Sequence, residues 1–263
     1  MRSDRLRLLS EILGFATAKS GLNNMYLSII IPAYNEEKRI ARTLKDIDEY
    51  LKTKTYDYEI IVVSDGSRDK TADIVKGLQA EVANLRLIDN KENHGKGFVV
   101  RQGLLDAKGD YRLFTDADNS TAIDQAEELL PYFEQGYDVV IGSRDIKGAV
   151  LANPQPWHRR MLGEIFNLFV QIIVGLWGIW DSQCGFKIIT ANAAQDILSR
   201  CKIDRWAFDP EILIIAKKLG YKIKEAPVVW ANDIESKVKF KGMVKMGLDL
   251  LKIRWNLITK KYG

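Results

Sequence analysis

The sequence predicts an α/β protein: a mostly parallel sheet flanked by helices, with amphipathic membrane-surface helices toward the C-terminus. Three observations carry that expectation. Short β-rich runs alternate with helical patterns over the first half of the chain, as where helical crossovers join strands. Each run is apolar through most of its length, the composition of a strand covered on both faces. Residues 237–263 mix apolar with basic side chains, eight Lys/Arg against the single acid Asp249, which suits an anionic lipid surface.

The elements follow in order. Strands are expected at 27–31, 59–64, 85–88, 111–115 and 138–141, with helices at 39–51, 71–83, 97–107 and 125–135 between and after them. Asp69 is placed to cap the second of these helices. Residues 145–160 contain Pro154 and Pro156 without a clear period and read as a long loop, a length that compact domains keep for function. An apolar helix is expected at 161–180, a strand at 186–190 and helices at 191–199 and 210–219. A last strand at 222–230 and a terminal helix at 238–259 complete the pattern.

The 263 residues suffice for one large domain with a sizeable core. Two cysteines, Cys184 and Cys201, supply neither a disulfide framework nor a metal-ligand spacing, which points to a reducing compartment. The net charge of +4 divides into about −3 for residues 1–236 and +7 for the rest. An acidic body with a basic tail excludes a uniform basic face, so no nucleic-acid partner is expected. The apolar run within residues 1–20 is broken by Glu11, unlike a signal peptide. The longest uncharged stretch, residues 165–180, has sixteen residues. As a helix it spans ~24 Å, short of the ~30 Å hydrocarbon core, so an ordinary span is not expected and a membrane-surface role stays open.

In open α/β sheets ligands bind beyond the carboxyl ends of the strands, and chemistry-bearing residues collect there. They are Pro32-Ala33-Tyr34-Asn35-Glu36-Glu37, Ser64-Asp65-Gly66-Ser67-Arg68-Asp69, Asn93-His94-Gly95-Lys96-Gly97, Asp116-Ala117-Asp118 and Gly142-Ser143-Arg144. Asp116 and Asp118, one residue apart, suit one hard divalent cation, Mg²⁺ or Mn²⁺, which uses one or two carboxylates plus substrate phosphates. The glycine–lysine loop around Lys96 precedes a helix, so its backbone N–H groups and ammonium suit a phosphate.

These residues carry a resemblance. Ser28-Ile29-Ile30-Ile31-Pro32-Ala33-Tyr34-Asn35-Glu36-Glu37, Val62-Val63-Ser64-Asp65-Gly66-Ser67 and Asp116-Ala117-Asp118 resemble family 2 glycosyltransferases with the nucleotide-diphosphosugar-binding (GT-A, Rossmann-like) fold. Gly142-Ser143-Arg144, Asp181-Ser182-Gln183-Cys184-Gly185-Phe186-Lys187, Arg205-Trp206-Ala207-Phe208-Asp209-x-Glu211 and Ser236-Lys237-Val238 look like dolichyl-phosphate β-glucosyltransferases. One departure stands in the second loop, where Ser64 replaces the first of two acids usual in the family.

The resemblance implies inverting transfer of a hexose from a nucleotide diphosphate sugar, UDP-glucose first, to a polyprenyl or dolichyl phosphate at the cytoplasmic membrane face, by a protein peripherally associated with that membrane. It implies that Pro32, Ala33, Tyr34, Glu36, Asp65 and Gly66 line base and ribose, that Lys96 and Ala117 lie by the nucleotide, and that Asp116 and Asp118 hold the metal. Gln183 falls near the donor sugar or metal, and Arg144, Arg205 and Lys237 are candidates for the acceptor phosphate. Two readings of Asp209 stay open: a base beside Trp206 and Phe208, or the cap of a helix opened by Pro210. GDP-mannose or UDP-GlcNAc as donor, and a saccharide hydroxyl as acceptor, are the alternatives. The expected organisation is a helical extension (1–25), a GT-A domain (26–236) with acceptor loop 145–160 and apolar helix 161–180, and a basic amphipathic helix (237–263). Oligomeric state is left open.

Overall fold

The computed structural model describes residues 26–152, 157–231 and 240–263; the expected extension 1–25 and Lys237 lie outside them. In chain order the elements are β1 (Tyr26–Ala33), α1 (Ile40–Leu51), β2 (Asp57–Asp65), α2 (Thr71–Leu78), β3 (Leu85–Asn90), α3 (Lys96–Asp106) and β4 (Tyr111–Thr115). A 3₁₀ turn at Ile123–Gln125 leads to α4 (Ala126–Leu129), α5 (Pro131–Glu134), β5 (Val139–Ser143) and β6 (Val150–Leu151). Then come α6 (Trp157–Phe169), a π-helical turn (Val170–Val174), β7 (Phe186–Thr190), α7 (Ala191–Leu198), α8 (Phe208–Lys218), β8 (Ile223–Pro227), β9 (Val229–Trp230) and α9 (Phe240–Ile258).

Seven strands form one sheet in the order β3-β2-β1-β4-β7-β5-β8. All its pairs are parallel except those of β7, which runs antiparallel to β4 and β5. The mostly parallel α/β expectation therefore holds. Burial explains the apolar strands: Ile29, Ile31 and Leu27 point into a core shared with α1, α2 and α4, while Ile30, Ile61 and Val63 point into one shared with α3, α7 and α8. The buried polar Ser28 is satisfied by donating to Glu59 Oε1 at 2.7 Å and accepting from the Gly109 N–H at 2.8 Å.

Several expected boundaries move. The helix expected at 125–135 breaks into a 3₁₀ turn and two short helices, because Pro131 has no N–H to continue the ladder. The strand expected at 222–230 divides at Pro227, and β9 pairs instead with β6 inside the expected loop. That loop is also shorter than expected, since α6 begins at Trp157. The apolar helix stops at Val174, not residue 180, because Gly175 turns left-handed at φ 86°. Asp69 does not cap α2 through its side chain in the expected way; Lys70 holds the cap position and Asp69 Oδ1 accepts from the Thr71 N–H at 3.0 Å.

The helical segment from α6 into the π turn packs Val170 and Val174 into the core and still leaves an apolar face outside. Its polar stripe faces the protein: Gln171 is buried, and Asn167 accepts a hydrogen bond from Ser182. Its apolar residues Ile165, Leu168, Phe169 and Ile172 face outward, as do Trp177 and Trp180 just beyond it. In α9, Met246, Leu250 and Ile253 are buried against the protein. A second apolar stripe, Val244, Leu248, Leu251, Trp255 and Ile258, is exposed on the opposite face. Among the described residues, no helix is long and apolar enough to cross a membrane.

Candidate active site

The chain visits β1, β2 and β3 and then returns to β4 on the other side of β1. That reversal creates the crevice where such sheets bind ligands. The expected residues gather there. Pro32 and Ala33 end β1 in register with Val63 and Ser64, and Tyr34, Asn35 and Glu36 follow directly. The first two loops are laced together: the Glu36 N–H donates to Thr71 Oγ1 at 2.7 Å and the Arg68 N–H to Asn35 Oδ1 at 2.8 Å. A cleft of about 380 Å³ lies between them, lined by Asn35, Glu36, Glu37, Lys38, Arg39, Arg68 and Asp69.

Asp65 is buried and organises the third loop. Its Oδ1 accepts from the His94 N–H at 2.7 Å, and its Oδ2 from the Gly95 N–H at 3.0 Å and from Asn93 Nδ2 at 2.9 Å. Burial raises its pKa against the lowering by those N–H groups. Gly66 turns left-handed beside it at φ 67°. Asn93 in turn accepts from Arg205 Nη1 at 3.4 Å, so Arg205 sits over the same loop.

Two ion pairs occupy the floor. Lys96 Nζ, at the start of α3, lies 2.6 Å from Asp116 Oδ1 at the end of β4. Lys187 Nζ, on β7, lies 2.6 Å from Asp209 Oδ1 and also donates to the Cys184 carbonyl. Both Lys187 and Asp209 are buried, Lys187 with 0% exposure. Burial raises the Asp209 pKa although Lys187 and Lys96 oppose it. Burial likewise raises that of Asp118, helped by the like charge on Asp116. Asp118 Oδ1 accepts from the Ser120 N–H at 2.9 Å, and Ala117, buried between the two acids, accepts from Thr43 Oγ1 at 2.8 Å. Gly185 on the facing loop leaves room for Asp116: a Cβ there would stand 2.1 Å from Asp116 Oδ2.

A third pair closes the β5 end. Arg144 Nε and Nη2 donate to the two carboxylate oxygens of Asp181 at 2.7 and 2.8 Å. Burial opposes the Asp181 charge, but Arg144 outweighs it and holds this carboxyl below its ordinary value. Glu225 on β8 accepts from the Trp180 and Asp181 N–H groups, both at 2.9 Å. The Gln183 N–H also donates to Asp181 Oδ1 at 3.3 Å, and Gln183 Nε2 is buried with no protein acceptor.

The glycosyl transferase family 2 model matches residues 28–198, which contain this rim up to β7. The chain belongs to glycosyl transferase family 2. It is 39% identical over 242 residues to a dolichyl-phosphate beta-glucosyltransferase of Trichomonas vaginalis, covering 88% of this chain and 71% of that protein. It is 36% identical to the dolichyl-phosphate beta-glucosyltransferase of Dictyostelium discoideum, covering 91% and 77%. Among solved structures it shares its fold with glucosyl-3-phosphoglycerate synthase from Mycobacterium tuberculosis in complex with Mn²⁺, UDP and glucosyl-3-phosphoglycerate. That match has a TM-score of 0.66 and 17% identity, covering 90% of this chain and 80% of that one.

In this family 2 glycosyltransferase the donor set fits a divalent metal shared with a substrate. Asp116 and Asp118 offer two carboxylates at one strand end, and the absent side chain at Gly185 gives the Asp116 carboxylate its place against the facing loop. Among the described residues, no group of three or more His, Cys, Asp or Glu side chains is set to cage an ion. Two carboxylates plus diphosphate oxygens is the arrangement hard cations use. The cap reading of Asp209 is corrected: Ala207 holds the cap position of α8 with no side-chain cap bond, and Asp209 lies inside the first turn, paired with Lys187.

Sequence reasoning missed Lys187, Asp181 and Glu225 as site residues. A lysine inside the otherwise apolar strand Phe-Lys-Ile-Ile-Thr was the available signal. A charge inside a doubly covered strand needs a buried partner.

Proposed function

We propose that this family 2 glycosyltransferase transfers glucose from UDP-glucose to a polyprenyl or dolichyl phosphate, with inversion, while seated on the cytoplasmic face of a membrane. One observation carries the lipid acceptor. Trp180, 58% exposed beyond the outward-facing apolar residues of α6, is followed directly by Asp181, buried against Arg144 at the rim. A surface that meets lipid and the loop that meets substrate are consecutive residues. The terminal helix α9, which packs on the π turn, carries a second exposed apolar stripe, and Lys245, Lys252 and Arg254 lie on the same helix. Each such cation near an anionic leaflet contributes about 1 kcal/mol. The names of the aligned relatives favour glucose and a dolichyl phosphate.

In this reading Asp116 and Asp118 hold Mg²⁺ or Mn²⁺ on the donor diphosphate. The metal supplies charge neutralisation for the leaving nucleoside diphosphate. Pro32, Tyr34, Glu36 and the loop organised by Asp65 receive the nucleoside, and the α3 N-terminus with Lys96 receives phosphate oxygens. The buried amide of Gln183 hydrogen-bonds the donor sugar. Arg205 meets the acceptor phosphate, a role the sequence also assigns to Lys237, and Arg144 holds Asp181 and the loop that presents it. A phosphate acceptor is already anionic, so no base is required. Asp209, buried and paired with Lys187, serves the electrostatics of the floor instead.

The test is transfer of radiolabelled glucose from UDP-glucose to dolichyl phosphate in vesicles, with Mn²⁺ or Mg²⁺. The expected product is a chloroform-soluble glycolipid that disappears with EDTA. Transfer to soluble saccharides with none to lipid overturns the acceptor assignment, and preference for GDP-mannose or UDP-GlcNAc overturns the donor.

A further inference from the structure

The two lysines of the floor differ in freedom. Lys187 is wholly enclosed and fixed from two sides, by Asp209 Oδ1 and the Cys184 carbonyl. Lys96 leaves the first turn of α3 with a side chain 21% exposed and, among the described residues, one ion-pair partner, Asp116 Oδ1, with the Trp206 and Phe208 rings 5.8 and 5.9 Å from its ammonium. It sits within electrostatic reach of Asp116, Asp209 and Asp118. The floor thus holds three carboxylates against two ammonium groups, and the residue expected to touch the diphosphate rests on a residue expected to touch the metal.

We propose that Lys96 is an internal counter-ion that occupies Asp116 until a nucleoside diphosphate draws it away, so that metal and nucleotide bind with positive coupling. The inference rests on the metal and donor assignments above. A divalent ion added while Lys96 stays on Asp116 leaves the floor with an excess of positive charge and puts two cations on one carboxylate. A diphosphate relieves both: its oxygens complete a metal shell that the protein leaves at two carboxylates, and they accept Lys96. The lysine has a near destination, because the amide ends of α3 and its own flexible stem meet the same anion. Each ligand therefore lowers the cost of the other, reciprocally.

The test is binding, with no turnover, on the full chain. Free Mn²⁺ is followed by electron paramagnetic resonance with and without UDP, and UDP binding in EDTA by calorimetry. For the unaltered protein, UDP tightens Mn²⁺ about tenfold. Lys96→Met binds Mn²⁺ about tenfold more tightly than the unaltered protein when UDP is absent, and UDP then adds little. Lys91→Gln, which removes an equal charge from an exposed pair with Asp89 outside the floor, shifts Mn²⁺ affinity by less than about twofold. In the converse arm, Asp116→Asn frees Lys96 and strengthens UDP binding in EDTA, while Asp118→Asn, which removes an equal charge, does not. The inference is overturned if Lys96→Met binds Mn²⁺ no more tightly than the unaltered protein, or if Asp116→Asn and Asp118→Asn act alike on UDP. A protein that binds neither Mn²⁺ nor UDP refutes the proposed function instead, and an Asp116→Asn result stands even where Lys96→Met fails to fold.

Discussion

The strand-end rim and the face built by α6, the π turn and α9 break the ordinary partition of side chains in opposite directions. At the rim, charge is buried: Lys187, Asp209 and Asp181 are enclosed, each against a named partner. On the helical face, apolar side chains are exposed, with Leu248 61% and Trp255 60% accessible, while polar Gln171 turns inward. Enclosed charges must be matched one by one, so the rim tolerates few changes. Exposed apolar residues hold nothing in the core, so the face tolerates many. In the proposed function, chemistry is specified by pairs at the rim, and membrane location by total apolar area on the face.

The largest expected effect breaks the rim at its metal end. Asp118→Ala lowers glucosyl transfer about 10³-fold, the scale of losing several kcal/mol of leaving-group stabilisation. Its melting temperature does not fall, because Asp118 is a desolvated carboxylate beside a like charge. Turnover within tenfold of the unaltered protein removes Asp118 from the metal site.

Next comes Asp181→Asn, which strands Arg144 and costs about 3 kcal/mol in urea denaturation at pH 7. The Asp181 pKa is lowered in the fold. Its contribution is therefore complete above the unfolded carboxylate pKa of about 3.9 and is lost as pH falls through the lower folded value. The gap between variant and parent should close only on that acid side; a gap constant with pH would assign the loss to packing.

On the face, Leu248→Glu with Trp255→Glu should weaken binding to anionic vesicles at least tenfold by co-sedimentation. Stability should stay within about 0.5 kcal/mol, as for surface changes elsewhere. Equal vesicle binding would leave the face without a lipid. The smallest effect belongs to Lys252→Gln, which costs about 1 kcal/mol of vesicle affinity at low salt and less at high salt; an effect blind to salt would exclude its electrostatic origin.

How much of this was legible in the sequence follows from the range of the forces. Strand β4 and strand β7 were placed to the residue because an apolar run between turns is local information. The reversed direction of β7 was not, since it depends on where a distant crossover lands. Asp209 was weighed as a base or a cap from its neighbours in sequence, and the deciding partner, Lys187, stands 22 positions away. Asn167 and Gln171 stand four residues apart, so a polar stripe was legible from helical spacing. Which way it faced was not, because helical periodicity is the same whether lipid or core receives the apolar side. In α9 the buried stripe masked the exposed one, as both faces are apolar.

Glu225 grips two consecutive amides, one belonging to an exposed tryptophan and the next to a buried aspartate. That fixes a height. In the proposed reaction the plane of the lipid headgroups and the site of bond exchange are held at one standoff by a single carboxylate. The acceptor is then gauged at its phosphate and first isoprene units, and the rest of the tail is left to the bilayer. Polyprenyl phosphates of unequal length should serve alike, provided their heads ride at the same level.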